Sequence, residues 1–156
     1  MIQMIYEKLP HITLPKIGLG TARLGGRIIP NRRRDPEYLS AIRSALELGY
    51  THIDTAELYA LGHSEELIGR AIREAHVARE KIMLTTKAWL VHLGYKSLLA
   101  AAENSLRRLA MEYIDLYLIH IPNPFIPLEE SFRALNELSG VAGFEMWASA
   151  TSVWVF

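Results

Sequence analysis

The chain has 156 residues, 50% of them hydrophobic, with 17 basic and 17 acidic side chains and a formal net charge of zero. That length suffices for one domain with a sizeable core, and the charge balance gives no long-range pull toward nucleic acid or an anionic membrane. The absence of cysteine excludes a disulfide framework, cysteine–zinc sites and thiol nucleophiles, and makes the cytoplasm the expected compartment.

Residues Met1–Lys8 lack the basic start and long apolar centre of a signal peptide, and no apolar run approaches the roughly 18 residues of a membrane span. Short extended pieces at Ile5–Lys8 and Ile12–Leu14 flank Pro10 and predict a small hairpin. A short strand, Lys16–Thr21, runs into glycine, and Leu24–Asn31 has loop composition. The basic run Arg32-Arg33-Arg34 reads as a solvated loop, with a contact to a cofactor phosphate or a partner as the alternative. Asp35 then suits a helix N-cap and Pro36 the first turn. Leu39, Ile42 and Leu46 share one face, and Gly49 ends the helix.

Thr51–Asp54 predicts the next strand and Ser64–His76 the next helix, with Glu65 and Glu66 near its positive end. Lys81–Lys87 is a strand, Tyr95–Leu109 a helix, Ile114–His120 a strand, and Pro127 opens a helix carrying Leu128, Phe132, Leu135 and Leu138 inward. Such alternation predicts a parallel sheet with helices outside it. The strand residues look apolar on both faces, as strands covered on both sides do. Alternation alone does not separate a barrel from an open doubly wound sheet. A dinucleotide fingerprint would want a third glycine where Arg23 follows Gly18 and Gly20, so that alternative is weak.

The informative polar residues stand at strand ends: Asp54, Lys87 and His120, with Tyr59 in the loop beyond Asp54. On a barrel they would converge on the face where active sites sit. Together they suit a proton donor. A tyrosine is a poor acid at neutral pH unless its phenolate is stabilised, a nearby lysine does that, an aspartate keeps the lysine charged, and a histidine can hold a substrate oxygen. Each also has an ordinary reading, as a rim, capping or packing residue. A metal site built from His52, Asp54, His63 and His120 has suitable ligand types but no recognised spacing, and none is expected.

These segments resemble aldo-keto reductase signatures over residues 5–139. The resemblance rests on Leu14–Thr21, on Gly49–Tyr59 (GYTHIDTAELY), on Gly62–Ile72 (GHSEELIGRAI), on Thr85–Trp89 and on Asp115–His120. It implies a (β/α)8 TIM barrel, truncated here to about the first four β/α units after a hairpin. It also implies an NAD(P)H-dependent oxidoreductase that reduces aldehydes or ketones, with NADPH or NADH as cofactor and a small carbonyl substrate. By that resemblance Tyr59 is the general acid, Lys87 lowers its pKa, Asp54 pairs with Lys87 and His120 orients the carbonyl. Gly20, Thr21 and Asp54 match positions near the nicotinamide and its ribose, and Trp89 and Ile121 match the substrate pocket. Ala22 and Ile121 stand where many members carry tryptophan, which implies a thinner aromatic wall.

From about Gly140 the sequence stops resembling a fifth strand and its loop. Joining the third base of each codon to the first two of the next makes Met146-Trp147 encode valine and Trp147-Ala148 glycine. The same shift permits GRVRNVGVSNFG from Val141 onward, which resembles the family's fifth-strand motif. Residues 1–139 therefore read as the N-terminal half of the barrel and 140–156 as an out-of-frame tail. Two alternatives to an enzyme follow: an inactive truncated fragment, or a half-barrel that self-associates through its exposed edges.

Overall fold

The computed structural model of the chain describes residues 5–8 and 13–140, and the backbone of 147–149. A hairpin pairs β1 (Tyr6–Lys8) antiparallel with β2 (Thr13–Pro15), and the turn expected at Pro10 lies outside the described residues. Strand β3 (Leu19–Gly20) leads through a glycine-rich loop to α1 (Asp35–Leu48). Three further units follow: β4 (His52–Asp54) with α2 (His63–Glu74), β5 (Met83–Ala88) with α3 (Tyr95–Leu109), and β6 (Leu116–Ile119) with α4 (Leu128–Ser139).

The strands pair in parallel and in sequence order, β3-β4-β5-β6. Beyond β6 lies β7, the backbone of Trp147–Ser149, also parallel. A stretch whose sequence does not resemble the family's fifth strand thus contributes a short parallel strand in fifth position. Three residues of extended backbone suffice to pair with Tyr117–Ile119, whatever their side chains. The remainder of the tail read as out of frame, 141–146 and 150–156, lies outside the described residues.

The core sits between the sheet and its helices. Leu39 and Ile42 of α1, Leu67, Ile68 and Ile72 of α2, Leu98 and Leu109 of α3, and Leu135 of α4 close on Ile53, Leu84, Tyr117 and Ile119. Successive strand side chains point to opposite faces, so Ile53, Leu84, Thr86, Tyr117 and Ile119 face the helices. His52, Asp54, Thr85 and Lys87 share the other face, where His52 meets Thr85 and Asp54 meets Lys87. The second face is therefore polar toward its end, not uniformly apolar as the composition suggested.

Two helix starts differ from expectation. Arg32–Arg34 form a tight helical turn that runs directly into α1, so Asp35 lies inside the first turn and does not cap it. Its carboxylate instead meets His63 Nε2 at 2.8 Å. Helix α2 begins at His63, whose other ring nitrogen meets Glu66 at 2.7 Å. Glu65 is fully buried, accepting from Thr86 Oγ1 at 2.7 Å and Arg108 Nε at 2.6 Å. It thereby ties α2 to β5 and α3; leaving one partner of such a pair alone costs about 3–5 kcal/mol. No helix among the described residues is long and apolar enough to cross a membrane.

Candidate active site

Register brings the strand ends together. Gly20 stands opposite Asp54, Asp54 opposite Thr85, and Lys87 opposite Leu118, two residues before His120. Past Asp54 the chain continues along β5: Thr55 N donates to Thr85 O at 2.8 Å and Glu57 N to Lys87 O at 3.1 Å. The loop that carries Tyr59 is thus an extension of the sheet and not a free excursion. After Tyr59 the backbone turns sharply through Ala60, Leu61 and Gly62, all at positive φ (49°, 53° and 87°). Left-handed non-glycine residues cost of order 1–3 kcal/mol each, and two in succession behind Tyr59 fix the direction in which its ring leaves the loop.

Lys87 is the hub. Its Nζ donates to Asp54 Oδ1 at 2.5 Å and to Thr55 O at 2.8 Å. Two of its three N–H donors are thereby committed. Nζ also lies 5.5 Å from the centre of the Tyr59 ring. The Tyr59 and His120 rings meet edge to face at 5.5 Å, and His120 N donates to Ala88 O at 3.2 Å. His120 Nδ1 is buried with no hydrogen-bond partner among the described residues. Asp54, Tyr59, Lys87 and His120 therefore form one contiguous group.

The charges in this group differ from expectation. Burial, reinforced by the Asp54 carboxylate, holds the Tyr59 phenol above its ordinary 10.0. The net shift is upward: the Lys87 ammonium, turned to Asp54 and Thr55 O, does not outweigh burial and the carboxylate. Burial lowers Lys87 itself against the opposing pull of Asp54. His120 is lowered from 6.5 by burial and then by Lys87, with Asp54 opposing, which favours its neutral form.

Of the positions matched to a cofactor, Gly20 leaves open space where a side chain would stand, with nothing within 4 Å. Thr21 is buried, its Oγ1 donating to Asp54 O at 3.0 Å and accepting from Ser64 Oγ at 3.1 Å. Its hydroxyl is spent on holding Asp54. Trp89 and Ile121 follow the ends of β5 and β6, but the Trp89 ring packs edge-on to His92 at 6.2 Å, and Ile121 is half exposed. The weighed metal ligands are dispersed: His52 meets Thr85, His63 sits between Asp35 and Glu66, and no metal-binding cluster occurs among the described residues.

Sequence reasoning missed Glu57. This buried carboxylate accepts from Trp89 N at 3.0 Å and meets His92 Nδ1 at 2.8 Å, pinning the Tyr59 loop to the end of β5. Its only sequence signal is a charged residue between Ala56 and Leu58 in a loop otherwise turned inward.

A parallel α/β layer with polar groups gathered at the C-terminal ends of its strands is the frame of a barrel enzyme. The aldo/keto reductase family pattern matches residues 16–141, and the chain belongs to that family. It is 38% identical over 135 residues to the aldo-keto reductase YhdN of Bacillus subtilis, covering 81% of this chain and 40% of that protein. It is also 38% identical over 128 residues to the methylglyoxal reductase DkgB of Salmonella typhi, covering 81% and 43%. A thermostable aldo-keto reductase, Tm1743, solved with the inhibitor epalrestat, superposes with a TM-score of 0.89 at 43% identity, over 94% of this chain and 53% of that one. An aldo-keto reductase from Klebsiella pneumoniae solved with NADPH gives 0.77 at 36% identity, over 88% and 45%. The chain thus spans about half the length of the proteins it matches.

Proposed function

We propose that this chain carries the proton-donating half of an NAD(P)H-dependent carbonyl reductase acting on small aldehydes or ketones. The observation that supports it best is the unbroken contact chain Asp54–Lys87–Tyr59–His120 at the strand ends. The cofactor, when bound, supplies hydride to the carbonyl carbon. Gly20, with its open face beside Asp54, fits a flat ring lying against the strand end. Tyr59 keeps its proton at neutral pH and gives it to the carbonyl oxygen. His120, whose lowered pKa favours the neutral imidazole, stands with its ring edge to face with Tyr59 and aligns that oxygen. Lys87 acts on the charge that develops as the proton leaves, because its third N–H donor is uncommitted. Stabilising the phenolate only as it forms lowers the barrier without making Tyr59 ionise beforehand.

A second reading follows from the share of the relatives that the chain covers: an inactive fragment, or a half-barrel completed by another copy. One comparison separates the readings. The chain is assayed on an aldehyde panel beside a version continued in the shifted frame from Gly140, each with and without Tyr59→Phe. The extended chain is expected to turn over, and Tyr59→Phe to abolish turnover while cofactor fluorescence titrations hardly change. Catalysis is sensitive to about 1 Å of misplacement, at about a hundredfold in rate, so the shorter chain is expected to be inactive. Undiminished turnover by Tyr59→Phe removes Tyr59 from the mechanism, and turnover by the shorter chain favours self-completion.

A further inference from the structure

Beyond Thr21, which holds Asp54, the loop between β3 and α1 takes no part in the proton-donor group, yet it is tightly built. Leu24 N donates to Thr21 O at 2.9 Å, Asn31 N to Gly25 O at 2.7 Å, and Gly26 bridges Pro30 antiparallel. Gly25 and Gly26 take φ of 93° and 130°. A Cβ on Gly25 would lie 3.1 Å from Ser64 N, so the loop is seated directly against the start of α2.

This frame holds a cleft of about 450 Å³ lined by Arg23, Gly26, Arg27, Ile29, Asn31, Arg34 and Tyr38. Three guanidinium groups line it and no carboxylate does. Arg34 is partly neutralised by Glu37 at 2.7 Å and lies over the Tyr38 ring at 5.3 Å. Neither Arg23 nor Arg27 makes an ion pair or hydrogen bond among the described residues. Nearby acids are already engaged, Asp35 by His63 and Glu66 by His63 and Arg32.

Uncompensated like charges repel, and a preformed loop that collects them around a concavity matches an anion. Guanidinium forks pair with planar or tetrahedral oxyanions through parallel hydrogen bonds. We propose that this cleft binds a small oxyanion-bearing molecule, its phosphoryl or carboxylate oxygens held by Arg23, Arg27 and Arg34, with the Asn31 amide as a further polar contact. Ile29 gives the cleft an apolar wall, and the volume leaves room for a body attached to the anionic group. The proposal stands apart from the carbonyl-reduction reading, because its site shares no residue with the proton donors and its test needs neither cofactor nor turnover.

The test is calorimetric titration of the 156-residue chain with inorganic pyrophosphate and, separately, with citrate, at low and moderate ionic strength. Saturable binding of either, weakened by salt, is expected. The double variant R23A/R27A should weaken it at least tenfold, whereas Lys16→Ala, which removes a cation paired with Glu7 outside the cleft, should leave it unchanged. A preference for pyrophosphate assigns phosphoryl ligands, and a preference for citrate assigns carboxylates. In the unmutated chain, pyrophosphate or citrate should also shield Arg23 and Arg27 from phenylglyoxal, read by peptide mapping, so a folding defect in the variant does not decide the matter. No saturable binding, or binding and shielding indifferent to Arg23 and Arg27, overturns the proposal.

Discussion

At the scale of single residues, the site's behaviour turns on how burial and charge oppose each other. His120 is depressed by burial and by the Lys87 ammonium, while Asp54 raises it. Its ring should therefore titrate below 6.5, and the two neighbours should move it in opposite senses. Lys87→Met is expected to raise the His120 midpoint toward 6.5, and Asp54→Asn to lower it further, read by NMR of the ring protons against pH. A midpoint unmoved by Lys87→Met would mean that burial alone sets it. The residue types of the site were legible in the sequence, because Asp54, Lys87 and His120 each end an apolar strand and Tyr59 follows at loop distance. Their charge states were not legible. Lys87 next to a tyrosine reads as a pKa-lowering cation, but its Nζ is drawn to Asp54 and the Thr55 carbonyl, an orientation that depends on the backbone path after β4. Glu57 was missed for the same reason: its partners, Trp89 N and His92, are far along the chain.

At the scale of elements, helix and strand types followed from periodicity, and α3 runs over Tyr95–Leu109 as expected. What periodicity does not carry is how closely two helices approach. Gly69 lies inside α2, where glycine costs about 1 kcal/mol relative to alanine. Its compensation is tertiary, because a Cβ there would collide with the carbonyl of Leu109 at the end of α3. Gly69→Ala should therefore destabilise the fold despite its better helix propensity. Overpacking of this kind costs about 1–3 kcal/mol, to be measured by urea denaturation. A stabilised Gly69→Ala would show that α2 and α3 can part without loss. Nor does periodicity show where a helix begins. Asp35 before Pro36 has the chemistry of an N-cap, but the turn through Arg32–Arg34 supplies the start, and His63 claims the carboxylate.

At the scale of the whole molecule, burial of titratable groups shapes stability against pH. His52 and His120 are both lowered from 6.5, with burial the leading cause. The unfolded chain therefore binds more protons than the folded one just below that value. Their contribution is complete above 6.5 and is lost as pH falls beneath it. The alkaline side runs the other way. Tyr117 is wholly buried, and its phenol is raised well above 10.0 by burial, with Glu57 and Glu65 adding to the shift and Arg108 and Ser105 opposing it. Tyr59 is raised as well. Above pH 10 the unfolded chain loses phenolic protons that the folded chain keeps, so stability falls as pH rises, with a ceiling of about 1.4 kcal/mol per pH unit for each such group. Lys87, lowered from 10.5, opposes this trend below its unfolded value, because there the folded state holds fewer protons. The urea midpoint should therefore decline on both flanks. Tyr117→Phe should flatten the alkaline decline while leaving the acid one intact, because it removes the phenol that resists ionisation and keeps the ring in the core. An alkaline decline unchanged in Tyr117→Phe would mean that the buried phenol is not the group that opposes ionisation.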